Sequence, residues 1–183
     1  MRAVLDACVL YPPVLRDLLL GCAVRGLFQA RWSDRILEEW ARATVKLGAG
    51  QEAAARSDIA LMRAAFPGAC VQPAPGIEAR LHLPDPDDIH VLAVAIQSHA
   101  DAIVTFNAKD FPRHTLAEEG IDRRDPDGFL WELWSRHPAE AGAVVAKVHA
   151  TAQSMAGQPV SLKALLKRAQ LPRFAKAVTA GHA

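Results

Sequence analysis

The chain has 183 residues, about half of them apolar, and a formal net charge of +1. That suits a domain of ordinary size with a real core, and no apolar run approaches the roughly 20 residues of a membrane span. Three cysteines (Cys8, Cys22, Cys70) form no Cys-x-x-Cys pair, which argues against a structural zinc site and for reduced thiols in a cytoplasmic protein. The charge is uneven. Residues 136–183 carry seven basic side chains against one acid, while residues 1–135 carry 14 basic and 19 acidic ones. An acidic body with a basic tail suits a cation site beside a surface that meets an anion.

In chain order, residues 2–5 read as a short buried strand that ends at Asp6, followed by Val9-Leu10 and a Pro12-Pro13 stop. Val14 to Phe28 reads as a helix ending near Gly26, and Phe28 to Trp32 as a second short strand. Ser33 is a candidate N-cap for a helix running to about Leu47. Glu52 to Phe66 is a further helix, stopped by Pro67-Gly68. The Pro- and Gly-rich stretch from Gly68 to Asp87 reads as a loop. Ile89 to Ser98, apolar on nearly all sides, is a buried helix. Ala102 to Phe106 gives the strongest strand signal, and another short strand is expected to end near Ile121. Helices follow over Phe129 to Arg136, Ala139 to Met155 and Ser161 to Ala169. Alternating strands and helices imply a doubly wound parallel sheet flanked by helices. The expected division is an α/β domain over 1–135 and a basic α-helical extension over 136–183.

Four acids stand where strands end or helices begin: Asp6, Glu39, Asp88 and Asp110. Ligands of open parallel sheets bind beyond the carboxyl ends of the strands. Carboxylates gathered there repel one another unless a cation neutralises them, which points to a hard divalent metal with oxygen ligands. Within the Ser33 helix, Glu39 lies about 100° from the centre of the apolar face and Glu38 about 160°. Glu39 is therefore the candidate ligand, and Glu38 is expected to point to water. Asp87 is a candidate supporting residue or helix cap, Asp85 a loop cap, and Thr105 a candidate for orienting a carboxylate. Arg16, Lys109 and Arg113 are candidate RNA-phosphate contacts. His90, on the buried helix, reads as a satisfied core histidine.

The segments Val4-Leu5-Asp6, Ser33 to Glu39, Asp85-Pro86-Asp87-Asp88-Ile89-His90-Val91-Leu92-Ala93 and Ala100 to Phe111 together resemble a PIN-domain ribonuclease, and among these the VapC-type toxins of bacterial toxin–antitoxin modules. The resemblance covers roughly residues 1–135, and its most specific part is Thr105-Phe106-Asn107-Ala108-Lys109-Asp110-Phe111. It implies a PIN-like fold, Mg²⁺ or Mn²⁺ dependence and cleavage of RNA. The four family acids fall on Asp6, Glu39, Asp88 and Asp110, with Asn107 beside the last. An antitoxin protein and a second copy in a homodimer join RNA as expected partners. The chain departs from the pattern after its first acid, where Asp6-Ala7-Cys8 stands in place of the usual Asp-Thr-Asn or Asp-Thr-Cys. The missing hydroxyl keeps a second reading open, a PIN fold that binds RNA or protein with little turnover.

Overall fold

The computed structural model describes residues 1–180. Its elements in chain order are β1 (Arg2–Leu5), α1 (Ala7–Leu10), α2 (Pro13–Val24), β2 (Gln29–Arg31), α3 (Asp34–Ala43), α4 (Gln51–Ala65), α5 (Pro75–Glu78), α6 (Ile89–Gln97), β3 (Ala102–Val104), α7 (Arg113–Glu118), β4 (Asp122–Arg124), α8 (Pro126–Arg136), α9 (Pro138–Ala156), α10 (Leu162–Arg168) and α11 (Pro172–Ala180), with 3-10 turns at Thr44–Leu47 and Pro86–Asp88.

The four strands form one parallel sheet in the order β2-β1-β3-β4. Ala3 of β1 pairs with Ala30 on one side and Ala102 on the other. Ala3, Val4 and Leu5 are fully buried, as are Ile103 and Val104, which is what a strand covered on both faces requires. The expected parallel α/β architecture with a helical C-terminus is therefore the one observed. The crossover from β1 leads to β2 on one side, and the next crossover returns the chain to β3 on the other. The order reverses between β1 and β3, so a crevice opens beyond their carboxyl ends. Asp6 stands at that point, its backbone N–H donating to the carbonyl of Val104.

Several boundaries differ from expectation for local reasons. Val9-Leu10 belongs to the one-turn helix α1, because the Asp6 carbonyl accepts from the backbone of Val9 and Leu10. The first long helix stops at Val24, and Gly26 (φ 75°) turns the chain toward β2 in a conformation that glycine adopts without strain. The Ser33 helix ends at Ala43 and continues as a 3-10 turn, with Thr44 Oγ1 donating to the Ala41 carbonyl. In β3 the ladder runs only to Val104; Thr105 Oγ1 then accepts from the Asn107 N–H, a side-chain-to-backbone turn that ends the strand. β4 follows Ile121 instead of ending near it. The loop between Gly68 and Asp87 holds α5, the turn at Pro86 and an isolated parallel bridge from Cys70 to Trp32. The C-terminal region holds a third helix, α11, that the sequence reading lacked.

The chain forms two compact units. The first comprises Met1–Tyr11 and Phe28–Arg124; the second comprises Pro12–Leu27 and the chain from Asp125 onward. In the second unit α9 packs on both α2 and α8. The approach of α2 to α9 is close: a Cβ at Gly21 would lie 2.5 Å from Val144 Cγ1. The Asp127 carboxylate caps α11 from a distance, accepting from the backbone N–H groups of Arg173 and Phe174 at 2.9 and 2.8 Å. Among the described residues, no helix is long and apolar enough to cross a membrane.

Candidate metal centre

The site lies in the first unit and is assembled from four stretches of chain. Asp6, directly after β1, is buried. It stands at the N-cap position of α1, yet its side chain makes no capping hydrogen bond. Instead Asp6 Oδ2 accepts from Thr105 Oγ1 at 2.6 Å and from Cys8 Sγ at 3.0 Å. Cys8 also accepts from the backbone N–H of Phe106 at 3.3 Å. Its thiol is pushed up to about 12, chiefly by burial and then by the Asp6 charge, so it stays protonated and able to donate. The hydroxyl lost at Ala7 thus has substitutes: two donors from Cys8 and Thr105 hold the same oxygen.

Beyond β3, Asn107 links two further acids. Its Nδ2 donates to Asp88 Oδ2 at 2.9 Å, and its Oδ1 accepts from the Asp110 N–H at 3.3 Å. Asp88 opens α6 without capping it. Asp85, Asp88 and Asp110 bring one carboxylate oxygen each to within 4.8 Å of one another. Asp85 does serve as a loop cap, accepting from the Asp87 N–H at 2.9 Å, but it also faces this cluster. Sequence reasoning missed that second part. A signal was there: Pro86 starts a 3-10 turn of about three residues per turn, so Asp85 and Asp88 fall on one side of it.

Glu39 and Glu38 differ less in exposure than their helical angles suggested, at 38% and 37%. What separates them is their partners. Glu38 does not simply point to water; it accepts from Arg56 and Arg42, which hold its carboxyl down at about 2. Glu39 Oε1 accepts from Arg35 Nε at 3.3 Å and lies 2.9 Å from His90 Nε2. Both glutamates line an open cavity of about 540 Å³ with Arg35, Arg42, Asp87 and Asp88.

Asp88 registers the electrostatics of the whole group. Its carboxyl is pushed up to about 6 by burial first, then by the charges of Asp6, Asp85, Asp110 and Glu39. Five carboxylates are thus gathered within mutual electrostatic reach, although Asp6 and Glu39 lie outside the tight three-oxygen set. The donors are all oxygen, suited to a hard divalent cation and unsuited to a soft one. A +2 charge would relieve the repulsion that holds Asp88 high. The residues fit such an ion.

The Asp87 side chain is 95% exposed and 4.0 Å from Arg35 Nη2, and it makes no cap. Lys109 is exposed in the turn between Asn107 and Asp110, and Arg113 is exposed at the first residue of α7. Arg16 belongs to the second unit, where its Nε lies 3.9 Å from Asp17. His90 is buried and its Nε2 lies 2.9 Å from Glu39 Oε1, but among the described residues neither ring nitrogen makes an aligned hydrogen bond.

A family model described as PIN domain matches residues 2–109, more than half of the chain. No curated protein and no solved structure matches the chain significantly.

Proposed function

Because the chain belongs to the PIN-domain family, whose members are generally nucleases, we propose that it is a divalent-metal-dependent ribonuclease and the toxin of a type II toxin–antitoxin system. The observation that carries the catalytic part is the carboxylate cluster. Oxygens of Asp85, Asp88 and Asp110 converge, and Asp6 and Glu39 add to the field that opposes ionisation of Asp88. In this reading Asp6, Glu39, Asp88 and Asp110, with Asp85, hold Mg²⁺ or Mn²⁺. When bound, the cation supplies Lewis acidity toward water and the scissile phosphate. Thr105 and Cys8 fix the rotamer of Asp6, and Asn107 sets the spacing of Asp88 and Asp110. Lys109, Arg113 and Arg16 meet phosphates of the RNA. Sequence resemblance to VapC-type toxins supports the finer assignment, with an antitoxin protein and a second copy of the chain as partners.

The test is cleavage of a mixed-sequence RNA by the full chain with millimolar Mn²⁺. Cleavage is expected, chelator should abolish it, and Asp6→Asn should reduce it by more than the roughly 10–100-fold typical of residues that only support metal ligands. RNA that is bound but left intact would favour a binding module instead. For the toxin assignment, expression should arrest growth, and the product of a neighbouring small gene should relieve the arrest. Arrest that no neighbouring product relieves would remove the antitoxin from the proposal.

A further inference from the structure

His90 stands against Glu39 at the carboxylate cluster and takes no part in the proposed metal binding. It sits in the first turn of α6 among Val91, Leu92, Ala93, Val94 and Ala95, all buried. Its own exposure is 3%, and neither Nδ1 nor Nε2 makes a hydrogen bond. A buried polar group without a well-aligned partner is destabilising. An apolar residue would fill this position in an otherwise apolar helix at lower free energy. Native proteins keep few such groups, and each calls for a reason.

The geometry points to the reason. His90 Nε2 lies 2.9 Å from Glu39 Oε1, within hydrogen-bond distance but out of line. Arg35 Nε reaches the same oxygen at 3.3 Å from the solvent side, with half of its side chain exposed. Both contacts fall on Oε1, and Oε2 is left uncommitted. We propose that His90 is a positioning residue, whose Nε2–H holds Glu39 Oε1 so that Oε2 is presented to the divalent cation. The inference rests on the metal-dependent reading above. Polar contacts at such sites are often poorly aligned before the ligand binds and tighten when it does. A small rotation of the Glu39 carboxylate aligns this one. The exposed Arg35 has long-chain freedom to leave, whereas the imidazole is packed in place. His90 is therefore the lasting constraint on Glu39.

The experiment is Mn²⁺ titration of the full chain by calorimetry, with the melting temperature of the metal-free protein recorded beside it. His90→Leu should leave that temperature unchanged or higher, because the unpaired imidazole is gone, and should weaken Mn²⁺ binding about 10-fold or more. His90→Gln, which returns an N–H near the Nε2 position, should bind Mn²⁺ nearly as the wild type does. His90→Asn, whose amide reaches only the Nδ1 position, should not. If His90 acts through Glu39, then adding His90→Leu to Glu39→Gln should weaken binding no further than Glu39→Gln alone. Wild-type affinity in His90→Leu, or a full additive loss in the double variant, overturns the inference. Should His90→Leu fail to fold, equal affinities for the Gln and Asn variants overturn it. A wild-type chain that binds no Mn²⁺ overturns the metal-dependent reading itself, which separates the two failures.

Discussion

Asp88 accepts a hydrogen bond from Asn107 while burial and four other carboxylates oppose its ionisation. Its folded-state pKa of about 6 lies above the ordinary value of 3.8. Between those values the folded chain holds a proton that the unfolded chain has lost. Asp88 therefore contributes stability below about pH 4 that disappears as the pH rises through 6. In metal-free protein at pH 7.5, Asp88→Asn should raise stability. The gain should be on the order of 1 kcal/mol once solvent screening of this half-exposed group is allowed for, or about 2–4 °C in melting temperature. The difference should vanish below pH 4, and a variant less stable than wild type at pH 7.5 would contradict the crowding. Added Mn²⁺ should raise the wild-type melting temperature more at pH 7 than at pH 5, because protons and cation compete for the same oxygens. Partners likewise separate the two glutamates. Glu38→Gln breaks a surface network with Arg56 and Arg42 and should leave RNA cleavage within about 3-fold, since exposed ion pairs contribute little. Glu39→Gln removes a charge from the cluster and should cost at least 10-fold. Equal losses would show that both glutamates serve the carboxylate cluster.

Among the elements, α2 and α9 approach each other closely at Gly21. An alanine at Gly21 would place its Cβ 2.5 Å from Val144 Cγ1, and a β-branched valine has little rotamer freedom with which to yield. Overpacking of this kind costs about 1–3 kcal/mol, against which alanine regains up to ~1 kcal/mol of helix propensity. Gly21→Ala should therefore show a lower urea midpoint, and Val144→Ala added to it should restore part of the loss. A higher midpoint in the single variant would mean that α9 moves aside freely. How well elements were legible followed how local their causes are. Asp6 could be read because it directly follows an apolar strand, and Asp110 because it lies a short turn beyond another. Cys8 could not, because its partner Thr105 comes near only when β1 pairs with β3, 97 residues apart along the chain. Asp85 was hidden by a 3-10 turn that places it beside Asp88. Helix α11 lacks a local capping signal, since its cap is Asp127. Its apolar spacing at Phe174, Ala175 and Val178 was nonetheless present in the sequence.

Over the whole molecule, the basic C-terminal region raises the question of whether its charge or its core matters more. Val144, Val145, Val148, Leu165, Leu166 and Phe174 are all buried, and α9 supports both α2 and α8. Cutting the chain at Pro138 would remove that support and expose the apolar faces of α2 and α8. Truncation should then cause insolubility and say nothing about RNA. The charges are separable from this core because Lys163, Lys167 and Arg168 are exposed on α10. Their combined replacement by glutamate should leave the far-ultraviolet circular dichroism and the Mn²⁺ response of the full chain intact. If these side chains grip RNA phosphates, each lost contact lowers the slope of log affinity against log salt by about 0.7 for a single strand. The triple variant should then bind RNA more weakly at low salt and with a slope reduced by roughly 2. A folded triple variant with unchanged affinity and slope would sink the idea that the tail holds RNA. The lysines would then be read as the solvated side of a helix whose work is to close the core.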